Sequence, residues 1–376
     1  MQLSYWEWKT YFKQIDVAII GSGIVGLSAA LHLKKNKPNI NVVVFERGAL
    51  PTGASTKNAG FACFGSTTEL LHDLEHSTEN EVFELVKMRW KGLTKLRKTI
   101  GDQNLKYKSY GSYELFTIND KEAYQKSIHK LSYLNKNIER TIGIKNTFSV
   151  ADVISKFGFN KVKHLLYNKH DGQIDTGAMM HQLIQLCLIN NIRIINGINI
   201  HSYNTENNKV TLHTKNGTVF NTKNLIIATN GFTKNLLPNI KVNPARNQVL
   251  ITKPIKNLAI KGCFHYNKGY VYFRNIDDRI LLGGGRNLFI KQETTNEFKL
   301  TKNIQNYLLQ LLNEVVLPNQ PFEIEQWWSG ILGIHISKMP IVKEVEHNVV
   351  LAVRLGGMGI AIGSLIGEQA ANLIIK

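Results

Sequence analysis

Apolar and polar positions alternate along this chain in a way that marks out its elements before any single residue is considered. The run Asp16-Val17-Ala18-Ile19-Ile20 reads as an apolar strand. Glycines at 21, 23 and 26 follow at once, and then a helix start. A second apolar run, Val42 to Phe45, ends in Glu46. Helical spacing over Thr68 to Arg97, with Leu70, Leu71, Leu74, Val82, Leu85 and Val86 on one face, predicts a largely continuous helix, and Asp120 to Arg140 predicts another. Between them, Tyr107 to Ile118 reads as strand pairs separated by a glycine. Further on, the pattern predicts a helix over Thr176 to Ile189 and a strand at Arg193 to Ile195. It also predicts a hairpin over Val210 to Phe220 turning at Asn216-Gly217, and a strand over Asn224 to Ala228. Strands follow at Asn247 to Lys253, Gly269 to Arg274 and Ile280 to Gly285. A last buried strand, Asn348 to Val353, leads through Gly356-Gly357-Met358-Gly359-Ile360 into a terminal helix.

The opening strand, glycine turn and helix carry the clearest chemistry. Gly21 permits a sharp turn, Gly23 lets backbone approach a pyrophosphate, and Gly26 lets the helix pack closely on the sheet. Ser22, Ile24 and Val25 fill the turn, and the helix-start amides face the phosphates. Glu46 stands where a carboxylate accepts from ribose hydroxyls. NAD and FAD both fit, NADP less well, and Arg47 is a weak counter-signal. The next segment, Gly53-Ala54-Ser55-Thr56-Lys57-Asn58-Ala59-Gly60, is dense in small residues and donors where an NAD enzyme would place another strand-helix unit. Chain order therefore favours FAD. The second glycine turn, Gly356 to Gly363, offers amides for a further polar part of the cofactor, or else a small-residue packing surface.

Composition narrows the class. The 376 residues are 43% apolar and long enough for two interleaved domains. Three cysteines, Cys63, Cys187 and Cys263, lie far apart in sequence with no pair motif, which argues against a zinc site and against a disulfide framework. No metal is expected. No apolar run has the length of a membrane span or signal core, so the expected location is cytoplasmic. The aromatic start, with Tyr5, Trp6, Trp8, Tyr11 and Phe12, predicts an entry helix over residues 1–13 packed on the body. A net charge of +18 attracts anions, but the basic residues are dispersed and read as a solvated surface, with nucleic acid as a minority partner.

Taken together, the opening fingerprint, Glu46, the Gly53 to Gly60 block, Ala228-Thr229-Asn230-Gly231 after a strand and the C-terminal glycine turn resemble the D-amino-acid oxidase superfamily of FAD enzymes, with glycine, sarcosine and gamma-glutamylputrescine oxidases among its members. The resemblance implies a mixed α/β fold. A discontinuous Rossmann-like FAD-binding domain (14–75, 150–245 and 326–376) would be covered by an antiparallel-sheet substrate domain (76–149 and 246–325). It implies hydride transfer from a carbon bearing an amine or hydroxyl to flavin N5, with oxygen or another acceptor taking the electrons. Gly21, Gly23, Gly26 and Glu46 would hold the ADP half. Ser55, Thr56, Lys57, Asn58, Ala59 and Gly60 would approach the pyrophosphate, ribityl chain or ring edge. Ala228, Thr229 and Gly231 would form a turn near the cofactor, and Gly357, Met358, Gly359 and Ile360 a turn at the ring. A loop over Gly330 to Gly333, after Trp327 and Trp328, would pass close to the ring.

Two departures stand out. The arginine that glycine-oxidase-like members place in that loop is missing from Ser329-Gly330-Ile331-Leu332-Gly333, and no cysteine lies where covalent members attach flavin, so FAD is expected to bind non-covalently. A replacement grip could lie on Tyr270, Tyr272 and Arg274, which alternation puts on one strand face, unless Arg274 instead pairs with Asp277 or Asp278. Arg246, Gln248, His265 and Tyr266 are further pocket candidates. Lys57 near the flavin could stabilise its reduced anionic form, assist oxygen or pair with a phosphate. Three functions fit: oxidation of an amine or amino-acid C–N bond, dehydrogenation of a 2-hydroxy acid, and modification of a secondary amine in tRNA.

Overall fold

The computed structural model describes residues 3–375. Its first sheet has Ile15–Ile20 near the centre, paired in parallel with Val42–Phe45 on one side and Val219–Ile227 on the other. Arg193–Ile195 extends one edge in parallel, and Val349–Val353 continues the other before Ile341–Glu346 turns antiparallel. Alternation explains why the central strand is apolar at every position but Asp16, whose carboxylate accepts from Asn41 N–H. Val17 and Ile19 face one core cluster with Leu27, Leu33 and Ile366, while Ala18 and Ile20 face another with Phe45, Leu225 and Leu351.

Helix Ile24–Asn36 leaves the glycine turn and lies against the terminal helix Gly359–Ile374, which in turn packs on Glu79–Ile100. The approach is close because small residues meet: a Cβ on Gly367 would stand 2.6 Å from the Val25 carbonyl oxygen, and one on Gly92 2.3 Å from that of Ala361.

The second sheet runs in the order Ile324–Ile334, Asn243–Thr252, Arg279–Gly284, Val271–Ile276, Cys263–Tyr266, Ser112–Thr117, Val162–Asn168, Phe148–Ala151. All its neighbours are antiparallel except Cys263–Tyr266 with Ser112–Thr117. Its strands include 148–151 and 162–168, whereas the sequence reading returns to the first unit at residue 150. A two-stranded piece, Phe61–Ala62 with Gly172–Gln173, lies between the large sheets in chain order.

Four expectations need correction. The helix over Thr68 to Arg97 is two helices, Thr67–Leu74 and Glu79–Ile100. Thr78 starts the second with a capping box: its hydroxyl accepts from Glu81 N–H, and the Glu81 carboxylate accepts from Thr78 N–H at 3.0 Å. Tyr107 to Ile118 supplies one strand, not a pair, because Gly111 turns the chain and only Ser112–Thr117 joins the sheet. Gly330 to Gly333 is not a loop but the end of strand Ile324–Ile334. Finally, the described part of the entry segment, Tyr5–Phe12, is not packed along its length. Trp6 is 69% exposed, Tyr5, Trp8 and Tyr11 are also exposed, and Phe12 alone of these stacks inward, on Phe220 at 4.6 Å. No helix among the described residues is long and apolar enough to cross a membrane.

Candidate active site

A cavity of about 670 Å³ runs from the first glycine turn to side chains of the second sheet. At its first end, Gly21, Gly23, Ile24 and Val25 form the wall. Ser55 is built into this wall, since its hydroxyl accepts from Ile24 N–H at 3.0 Å and so caps the helix. Glu46 is buried and fixed from two sides: one carboxylate oxygen accepts from Gly48 N–H (3.0 Å), the other from the Ser22 hydroxyl (2.7 Å) and Ser22 N–H (3.3 Å). Ser22 and Gly26 thus shape the cradle from behind without lining it. The Arg47 guanidinium lies over the Phe232 ring at 3.7 Å and lines the cavity.

The 53–60 block divides by role. Ser55, Lys57, Asn58, Ala59 and Gly60 line the cavity, whereas Thr56 is exposed and donates to the Pro51 and Gly53 carbonyls. Asn58 is saturated by its own loop, donating to Ala54 and Ser55 carbonyls and accepting from Gly60 N–H and the Thr176 hydroxyl. It holds the loop's shape. The Trp328 indole N–H binds the Lys57 carbonyl at 3.0 Å, and the Lys57 ammonium sits over Phe298 at 5.3 Å. Ala228, Thr229, Gly231, Gly330, Gly357, Met358, Gly359 and Ile360 complete the wall, so both glycine turns meet one space.

The far end is lined by side chains of the second sheet and its turns. Tyr270, Tyr272, His265 and Asn247 all face the cavity. Burial pushes the Tyr272 phenol up to about 12, so it stays a neutral hydrogen-bonding group. Burial likewise pushes His265 down to about 4, with nearby Glu69 opposing, and the ring is neutral at physiological pH. Its Nε2 and the Asn247 Oδ1 are buried without hydrogen-bond partners. Buried polar atoms are rarely left so, and both belong to residues that line the cavity.

Arg274 is placed differently from expectation. It is 2% exposed, lies outside the cavity wall, donates only to the Gly60 carbonyl at 3.5 Å, and pairs with neither Asp277 nor Asp278. It lies behind the 53–60 loop, against Gly60, although it shares a strand face with Tyr272. Arg246 and Gln248 are also diverted. Arg246 forms a two-pronged ion pair with buried Glu293 (2.8 and 3.1 Å), and Gln248 donates to Glu293 and Thr301. Tyr266 does not line the cavity.

Sequence reasoning missed Glu69, His72, Asn247, Arg286 and Lys338 as lining residues. Burial raises the Glu69 carboxyl, but Arg89 at 3.1 Å and Lys338 at 3.3 Å hold it down to about 2. No sequence signal joins positions 69 and 338. Arg286 had one: it follows the triple glycine that ends strand Arg279–Gly284.

The cysteines also differ from their sequence spacing. Cys63 and Cys263 direct their thiols at one acceptor, the Gly172 carbonyl, at 3.7 and 3.3 Å, and both remain free. Cys63, Asp171 and His265 offer ligand atoms within 4.8 Å of one another, but Asp171 is already engaged by Phe64 N–H and the Ser112 hydroxyl.

The model of the DAO family, described as FAD dependent oxidoreductase, matches residues 16–373. The chain belongs to this family. This DAO-family oxidoreductase is 19% identical to a probable oxidoreductase OrdL of Haemophilus influenzae, over 97% of this chain and 84% of that protein. Among solved structures, a glycine oxidase from Bacillus cereus superposes with a TM-score of 0.77 at 17% identity, covering 96% of this chain and 95% of that one. L-proline dehydrogenase from P. horikoshii gives 0.74 at 18%, covering 96% and 93%. FAD is the cofactor of the family, and the residues present suit it. The helix start, where a Cβ on Gly23 would stand 2.9 Å from the Ser55 hydroxyl, the Glu46 carboxylate and the Gly357 to Ile360 turn all line one continuous space.

Proposed function

We propose that this oxidoreductase oxidises a C–N bond of an amine or amino acid. The observation that carries the reading is the meeting, in one cavity, of the Glu46 cradle with a neutral hydrogen-bonding face made by His265, Asn247 and Tyr272. FAD, when bound, supplies the hydride acceptor. Gly23, Val25 and Ser55 would hold its pyrophosphate, Glu46 its ribose hydroxyls, and the Gly357 to Ile360 turn its ring edge.

The sheet residues act on the substrate. An amine enters as an ammonium and is reactive only after losing a proton. That proton leaves to water as the amine binds, and neutral His265 and Asn247 accept hydrogen bonds from the free amine. Both groups orient the amine-bearing carbon, and the aromatic walls of Phe61 and Tyr272, 5.7 Å apart between ring centroids, exclude water. Arg274, the residue that spoke for hydroxy-acid chemistry, lies outside the cavity wall.

Anaerobic addition of primary and secondary amines, amino acids, 2-hydroxy acids and undermodified tRNA to the holoenzyme tests the reading. Bleaching of the visible flavin band by amines or amino acids is expected. Bleaching by hydroxy acids or tRNA alone would refute it.

A further inference from the structure

We infer that Arg286 is the carboxylate anchor of this enzyme, so that its substrate is an amine carrying a carboxylate and not a simple amine. The inference rests on the proposed oxidation of a C–N bond and specifies the substrate of the same cavity.

Three observations lead to Arg286. It lines the cavity on the second-sheet side, beside Tyr270 and Tyr272, with its guanidinium over the Tyr270 ring at 5.2 Å. It is half-buried, yet among the described residues it makes no ion pair and no side-chain hydrogen bond. Guanidinium groups withdrawn from water are ordinarily matched by an anion, as Arg89 and Arg246 are here by Glu69 and Glu293. Arg286 alone of these three keeps its fork of donors open to the cavity. That fork suits a planar carboxylate.

The surrounding charge agrees. Glu69 is the lone acidic side chain lining this end, and Lys338 neutralises it while also bonding Asp73 at 2.6 Å. Lys268, exposed at the same end, has no carboxylate partner among the described residues. Two uncompensated cations, Arg286 and Lys268, therefore face the entering molecule and draw an anion in.

The local backbone is built for this placement. Tyr272 stands directly across from Gly283 in the antiparallel pair, and a Cβ there would come within 2.8 Å of the phenol oxygen, so glycine lets the ring lie across the neighbouring strand. Gly285, at φ +77°, then turns the chain left-handed, and Arg286 follows directly beside that ring. The arginine missing from Ser329 to Gly333 is thus replaced from a different strand end, on the opposite side of Asn243–Thr252 in the sheet order.

The test uses the FAD-loaded protein and amine-free carboxylates, namely acetate, butyrate and benzoate, titrated against the visible flavin spectrum. The wild-type spectrum is expected to shift and saturate. Arg286→Met should raise the dissociation constants about tenfold or more, the loss of a charge-assisted pair, with flavin content unchanged. Arg286→Lys, which keeps the charge but not the fork, should fall between and covers the case of a Met variant that fails to fold. No spectral shift with any carboxylate, or unchanged constants in both variants, would overturn the inference while leaving amine oxidation standing. Failure to take up FAD at all would overturn the reading beneath it.

Discussion

Replacing Glu46 by Gln tests the cofactor cradle at its most constrained point. The two carboxylate oxygens accept on opposite sides, from Gly48 N–H at 3.0 Å and from Ser22 at 2.7 and 3.3 Å. An amide has only one oxygen to offer. If it faces Ser22, its NH₂ meets the Gly48 N–H and a buried donor is left unmatched. If it faces Gly48, the Ser22 hydroxyl can rotate to accept, but the Ser22 N–H goes unpaired. The second arrangement loses only the longer bond and should prevail, at about 1 kcal/mol of stability. The larger effect falls on FAD. Ribose hydroxyls that donate to a carboxylate would donate to a neutral amide or face its NH₂, a loss of about 1–3 kcal/mol, or roughly 5- to 150-fold in affinity. Titration of FAD into the apoprotein, read by quenching of flavin fluorescence, measures this, with thermal melts of both apoproteins as the folding control. A folded Glu46→Gln variant that binds FAD within about twofold of wild type would refute the assignment of Glu46 to the ribose.

Three further outcomes follow from buried groups. Burial pushes the Asp171 carboxyl up to about 7, against an ordinary 3.8, so the folded state holds a proton that the unfolded chain releases. Its contribution to stability is whole below about pH 4 and is lost as pH rises to about 7, a change of up to about 4 kcal/mol at about 1.4 per pH unit. Asp171→Asn should remove that slope, so urea unfolding of the variant gains on wild type between pH 4 and 7 and not beyond; parallel curves would contradict this. Arg246→Met strands the buried Glu293 charge and should cost about 3–5 kcal/mol, measured by the same unfolding assay. Cys63, Cys187 and Cys263 are all buried, and burial raises the Cys63 and Cys187 thiols, so iodoacetamide should label none in the native protein and all three in urea. Prompt native labelling would show that the cavity opens to Cys63.

The dinucleotide unit was legible because its signal is local. Strand, glycines, helix and acid lie within about thirty residues, and the side of the sheet each residue faces follows from period two. The fold class was legible for the same reason, repeated at Val349 to Gly363. The substrate end was not. Tyr272 and Arg274 share a strand face on paper, but the 53–60 loop leaves one in the cavity and the other behind it. Glu69 meets Lys338, and Cys63 shares an acceptor with Cys263, across separations that no spacing rule spans. The break at Thr78 was visible as a Thr-x-x-Glu capping box, but the apolar stripe on either side of it masked the signal.

The central strand Ile15–Ile20 cannot complete its pairing until Val219–Ile227 exists, and the sheet's next strand comes more than a hundred residues after that. At ribosomal speeds the first gap alone lasts roughly 10–40 s. Throughout that interval a strand apolar at all but Asp16, with an unpaired edge, is available to other chains. Translation rate and holdase chaperones should therefore govern the yield of active protein more strongly than the stability of the finished fold. Added FAD should rescue completed chains but not nascent ones, because its ring-side turn is among the last segments to be made.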